Sequence, residues 1–235
     1  QSFNKRGTAL GAAIAFALTL APTLVMAETR QIPESETVNV GFIKDGERST
    51  IFNQNWKFFK GDPSGAEGVD FDDSSWRGLN LPHDWSIEGD FTVEGEAESG
   101  FLLGGTGWYR KAFVVPEKYN GKDFTLNFDG VYMNAEVYVN AKKVGEHNYG
   151  YTSFAFDITE ALICDGQTEN IIAVKVSNPV PTSRWYSGSG IYRDVTLSVT
   201  DSIHVAHAGT TVTTPKLEEQ KGGDVDVAIE TIVEN

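Results

Sequence analysis

The stretch Pro181-Thr-Ser-Arg-Trp-Tyr-Ser-Gly-Ser-Gly-Ile-Tyr-Arg-Asp-Val195 puts Arg184, Trp185 and Tyr186 side by side on a segment bounded by proline and glycine. Those residue types suit a sugar. An aromatic ring stacks on the apolar C–H face of a pyranose, and a guanidinium fork offers several donors to its hydroxyls. Loops on a rigid β scaffold are where such groups usually act. A crossover whose Trp and Tyr only cover the core would carry the same residues, so this loop alone leaves both readings open. A second segment, Leu81-Pro-His-Asp-Trp85, again joins a rigid proline, two titratable side chains and a tryptophan.

Other residues with chemical potential are harder to assemble into a site. His204 and His207 lie three apart in a stretch with strand character. Residues so spaced face opposite sides of a strand, so they cannot chelate one metal and are expected to be ordinary surface histidines. Cys164 is the sole cysteine, which excludes an intrachain disulfide, and its Ala-Leu-Ile-Cys setting reads as small apolar packing rather than as a nucleophile. There is no glycine-rich phosphate loop, no supported Ser/His/Asp set and no Asn-x-Ser/Thr sequon. With 33 acidic against 19 basic residues the net charge is −14, which argues against nucleic acid or anionic lipid as a partner and leaves a neutral sugar compatible.

The elements that must carry these loops read as strands. From Ile51 onward, short β-branched and aromatic runs alternate with Gly, Asn, Asp and Pro, and no helical pattern of useful length occurs. Strands are expected at 56–60, 108–115, 124–128, 135–139, 143–147, 154–157, 171–176 and 192–199. Alternation is clearest in Glu136-Val-Tyr-Val139 and Ala173-Val-Lys-Val176, as in antiparallel strands with one solvated face. Eight or more strands and a long connection from Leu81 to Gly107 point to an all-β fold, a jelly-roll β-sandwich. The acidic run Glu94 to Gly100 in that connection reads as a solvated surface loop.

The ends differ from this pattern. Lys5-Arg6, an interrupted apolar run from Ala9 to Leu24, and Val25-Met-Ala27 form a signal peptide pattern over residues 1–27, and the run is too short and broken for a membrane anchor. The chain is therefore expected to be exported, to the periplasm or beyond. Residues 28–50 are a polar lead-in, and residues 201–235 pass through a linker into the alternating stretch Val225 to Val233. A lone exposed strand is a liability. The chain is therefore expected to be a fragment that ends inside a second domain.

Six ordered blocks resemble one family: FNQNWKFFKGD at 52–62, FDDSSWRGLNLPHDW at 71–85, GTGWYRKAFVVP at 105–116, FDGVYMNAEVYVN at 128–140, GYTSFAFDIT at 150–159 and SRWYSGSGIYRDV at 183–195. The chain is similar to the N-terminal sugar-binding domain of glycoside hydrolase family 2, of the bacterial β-galactosidase type. It departs at Ala141, where the family usually has Gly in the turn after Asn140, and at Tyr149, where the family often has a second Gly.

The resemblance implies a jelly roll over 51–200 followed, within 201–235, by the first strand or strands of an immunoglobulin-like β-sandwich. Retaining glycosidases use two carboxyl groups about 5–5.5 Å apart; in this family both are glutamates on a later TIM barrel, so no catalytic residue is expected here. Asp72-Asp73 is a poor substitute, since adjacent carboxylates on a turn point apart. The resemblance places Asp84 where an Asn or Asp contacts substrate hydroxyls, with His83 and Trp85 in support; capping of the turn through Ser86 is the alternative. It puts Arg184 where some relatives hold sodium with an Asp, and because Arg cannot ligate a cation, no metal and no cofactor are expected. Arg184 is then left to contact hydroxyls or a carboxylate, and Trp185 to stack or to pack against the barrel. The implied partners are a β-galactoside and the downstream immunoglobulin-like and barrel domains, with a homo-oligomer possible. A free-standing carbohydrate-binding module, or the same domain of a β-glucuronidase or β-mannosidase, is the alternative.

Overall fold

The computed structural model describes residues 47–95, 97–180, 187–219 and 222–235. The signal peptide expected over 1–27, and most of the lead-in, lie outside them. Strands are numbered in chain order. One sheet of six runs β3 (Arg77–Leu79), β2 (Trp56–Lys60), β4 (Gly105–Val114), β9 (Glu169–Asn178), β6 (Ala135–Val139), β7 (Lys142–His147). A second sheet of four runs β1 (Ser49–Ile51), β10 (Val195–Thr200), β5 (Asp123–Phe128), β8 (Phe154–Asp157). Pairing is antiparallel throughout. The long β4–β9 ladder, in register from Gly105↔Asn178 to Val114↔Glu169, ends at the loops that form the candidate site.

Period-2 alternation puts Phe124, Leu126 and Phe128 of β5 and Val195, Leu197 and Val199 of β10 into the core, against Tyr109, Phe113, Ile172 and Val174 of the larger sheet. Burying each such aliphatic or phenyl side chain contributes about 1.5–3 kcal/mol. Lys111 shares the inward face of β4 with Tyr109 and Phe113. It is buried, its ammonium bonded to the Gln54 carbonyl and 4.3 Å from the centre of the Phe52 ring.

The outer face of the six-stranded sheet is less solvated than its alternation suggests. Trp108 and Ala173 there pack under Trp76 and Ala66, so residues 61–76 form a cover. Trp108 donates to Asp62 at 2.8 Å, and Arg110 donates to Asp73 at 2.8 Å while its other arm holds the Ala66 and Gly68 carbonyls. Burial pushes the Asp73 carboxyl up, but Lys57 and Arg110 more than reverse this and leave it below the usual carboxylate range. Asp73 is thus a structural anion, and Asp72 accepts from the Ser74 N–H.

Several expectations about boundaries change. β1 straddles the expected start at residue 51, because Ser49 to Ile51 pair with β10. β10 begins at Val195 rather than Tyr192. The stretch expected as a lone strand is β12 (Ala228–Glu234), paired antiparallel with β11 (His204–Thr213) and so not left with both edges open. His204 is half-buried, with Nε2 3.2 Å from Glu234 and Nδ1 2.8 Å from the Asp201 carbonyl; only His207 is a plain exposed residue. Cys164 packs beside the core, and burial raises its thiol pKa. The two-residue turn between β6 and β7 takes both positions left-handed, Asn140 at φ 49° and Ala141 at φ 65°, the conformation for which Gly is favoured.

Candidate functional site

Two segments distant in sequence lie side by side at one end of the sandwich. The Leu81 N–H donates to the Asn53 carbonyl, the His83 N–H to Ile191 at 2.8 Å and the Trp85 N–H to Ser189 at 3.0 Å, so Leu81 to Trp85 runs along the segment 189–191. The Leu81–Pro82 bond is cis. Gly190 sits at φ 129°, and a Cβ there would collide with the Tyr109 hydroxyl and lie 2.7 Å from the His83 carbonyl oxygen. Only glycine allows so close an approach of the two segments.

Asp84 is set by that approach. Its Oδ1 accepts from the Ser86 N–H at 2.9 Å and from the Ser189 N–H at 2.9 Å. The sequence offered turn capping and substrate contact as alternatives; Oδ1 does cap Ser86, and it also staples the loop to residue 189. The half-buried carboxylate is thereby held in one orientation at the molecular surface.

His83 lies beneath it. The ring is buried, with Nδ1 2.7 Å from the Tyr109 hydroxyl, Nε2 2.8 Å from Arg77 and 3.2 Å from Glu88, and it meets the Phe58 ring edge-on. Burial lowers its pKa and favours the neutral imidazole. Both ring nitrogens are engaged within the protein, so His83 acts as a positioning residue rather than one that reaches a ligand. Trp85 is buried too, stacked on Phe58 and donating to the Gly104 carbonyl at 3.2 Å.

A polar network that sequence reasoning missed completes the base of the site. The Ser189 hydroxyl, fully buried, is 2.7 Å from both the Ser86 hydroxyl and the Asn178 amide nitrogen. Asn178 also donates to the Gly188 carbonyl at 3.1 Å, and so holds residues 178 and 188 together. Arg184 and Trp185 lie outside the described residues. Three tyrosines were missed as well: Tyr132, Tyr149 and Tyr151 form an edge-to-face chain on the other side of residues 187–190. The signal available was the pair of tyrosines around Gly150.

Comparison with known proteins identifies the family. Residues 96–201 match the family model described as glycosyl hydrolases family 2, sugar binding domain. The chain is 50% identical over 173 residues to the Beta-galactosidase BoGH2A of Bacteroides ovatus, covering 72% of this chain and 20% of that protein. It is 41% identical over 176 residues to a putative beta-glucuronidase of Formosa agariphila, covering 74% of this chain and 17% of that protein. Among solved structures, a glycosyl hydrolase family 2 member from Bacteroides cellulosilyticus superposes with a TM-score of 0.72 at 42% identity, over 79% of this chain and 24% of the other. The chain spans about a fifth of the length of the curated relatives it matches.

Proposed function

Because this chain carries the sugar-binding domain of glycoside hydrolase family 2, we propose that it forms one wall of the sugar site in a larger, exported retaining hydrolase of the β-galactosidase type. The observation that supports this reading is the fixing of Asp84 by two main-chain N–H groups, from Ser86 and Ser189, at the end of the sandwich where the loops converge. A carboxylate so oriented accepts hydrogen bonds from sugar hydroxyls without having to be ordered on binding. Contacts of this kind to non-reacting hydroxyls contribute to catalysis when they are strongest in the transition state.

In this reading the acid/base and nucleophilic carboxyl groups reside on a TIM barrel elsewhere in the protein, and β11 and β12 open the immunoglobulin-like domain between them. Arg184 and Trp185 supply, by their residue types, a hydroxyl donor and a stacking surface. The 50% identity to a β-galactosidase favours a galactoside, and the 41% identity to a putative β-glucuronidase makes a glucuronide the second reading. The test is turnover of aryl β-galactoside and aryl β-glucuronide by the full-length protein and its Asp84→Ala variant. Preference for the galactoside, with kcat/KM reduced about tenfold or more in the variant, is expected. Preference for the glucuronide overturns the glycone, and unchanged kcat/KM overturns the role of Asp84.

A further inference from the structure

Tyr149 and Tyr151 are large aromatic side chains left 59% and 54% exposed on either side of Gly150. Gly150 between them is buried against the Tyr132 ring, where a Cβ would come within 2.6 Å of Cε2. The Tyr192 hydroxyl donates to the Gly150 carbonyl at 2.7 Å. Tyr132 is fixed in turn, since its N–H and carbonyl exchange two 2.9 Å hydrogen bonds with Gly190. The rings of Tyr132 and Tyr151 meet at 5.4 Å and 65°, and those of Tyr151 and Tyr149 at 5.7 Å and 67°. Exposed tyrosines displayed by a buried glycine and these three hydrogen bonds are pre-ordered, which removes much of the entropy cost of binding through them.

The position of the pair points to its ligand. Tyr151 packs on the Tyr132 ring, Tyr132 pairs with Gly190, and the N–H of the neighbouring Ser189 holds Asp84. Adjacent Cα atoms are about 3.8 Å apart, so the tyrosines and Asp84 flank one short segment. An edge-to-face pair uses the edge of one ring and leaves a face of the other open, and such a face suits the C–H surface of a pyranose. We propose that Tyr149 and Tyr151 form an aromatic subsite for a neutral pyranose unit of a β-linked oligosaccharide. That this unit is the neighbour of one bound at Asp84 rests on the reading of Asp84 given above. The net charge of −14 favours a neutral unit over a uronate. Tyr149 is the discriminating member, because it is the outer ring of the chain and meets only Tyr151 among the ring contacts described.

The test titrates the chain with β-1,4-galactobiose and with methyl β-D-galactopyranoside, read by saturation-transfer-difference NMR and calorimetry. Tighter binding of the disaccharide is expected, weakened about fivefold in Tyr149→Ala and restored in Tyr149→Phe. Melting should be unchanged, since Tyr149 touches only Tyr151 among the ring contacts described. Absence of saturable binding, or disaccharide affinity equal in wild type, Tyr149→Ala and Tyr151→Phe/Tyr149→Ala, overturns the subsite. Affinity lost in Asp84→Ala but kept in Tyr149→Ala removes the subsite and leaves the Asp84 reading standing. The opposite pattern keeps the subsite and removes the role of Asp84.

Discussion

The main-chain N–H of Ser189 donates to Oδ1 of Asp84 across 2.9 Å, joining two residues 105 apart in sequence. This bond makes Asp84 both a structural staple and the carboxylate presented at the site. Its two roles separate by substitution. Asp84→Asn keeps an Oδ1 acceptor for Ser86 and Ser189, so it should lose less stability than Asp84→Ala, while kcat/KM of the full-length protein falls if Asp84 contacts the sugar as proposed. Asp84→Ala leaves two N–H groups without their acceptor and should also cost about 1–3 kcal/mol of stability. Equal melting of both variants with wild type would show that the staple carries no weight.

Gly190→Ala should be more damaging than either. It forces an L side chain to φ 129° and drives its Cβ into the Tyr109 hydroxyl and the His83 carbonyl. Strain and overpacking together predict a loss of about 2–5 kcal/mol, measured by denaturant unfolding. Unfolding at the wild-type midpoint would mean that the two segments do not approach as described.

Lys111 predicts a pH dependence. Burial pushes its amine down to about 8 from the ordinary 10.5. Between those values the unfolded chain holds more protons than the folded one, so unfolding free energy should rise from pH 8 toward 10.5, by at most about 3 kcal/mol. Below pH 8 both states are charged at this residue and it adds no slope. Tyr109, whose pKa burial raises, acts with the opposite sign above the ordinary tyrosine range near 10, so the comparison is cleanest below that. Lys111→Met should abolish the rise; a rise that persists in the variant refutes the assignment.

Ala141 holds a left-handed conformation, φ 65°, in the turn between β6 and β7. Ala141→Gly relieves that cost while adding entropy to the unfolded chain, for a net gain of up to about 1 kcal/mol in thermal or chemical unfolding. A loss of stability would show that the turn tolerates alanine without strain.

Export predicts a mature chain beginning at Glu28, because Val25 and Ala27 fit the small-residue rule at a cleavage site. N-terminal sequencing of the exported protein checks this. An uncleaved terminus in the membrane fraction is the result that overturns it.

The all-β class and most strand positions were legible in the sequence because period-2 burial is local: Glu136-Val-Tyr-Val139 and Phe124 to Phe128 announce their inward faces with no knowledge of partners. The family was legible for a related reason, since its blocks fall on the strands and turns that packing constrains most. β3 was missed because Arg77-Gly-Leu79 is a three-residue edge strand with no alternation long enough to register. β12 was recognised as a strand but expected to stand alone, since nothing local in Ala228 to Glu234 says that β11 lies beside it. The candidate site divides in the same way. The residue types at Leu81 to Trp85 and Ser183 to Val195 suggested a sugar, but which of the described ones point outward was decided by long-range contacts. Tyr109, Arg77 and Glu88 draw His83 inward, Phe58 and Gly104 do the same for Trp85, and Ser189 fixes Asp84 at the surface. Local sequence encodes the period of burial, whereas the direction of a loop side chain depends on hydrogen bonds to residues a hundred positions away, which exist only once the two sheets have closed.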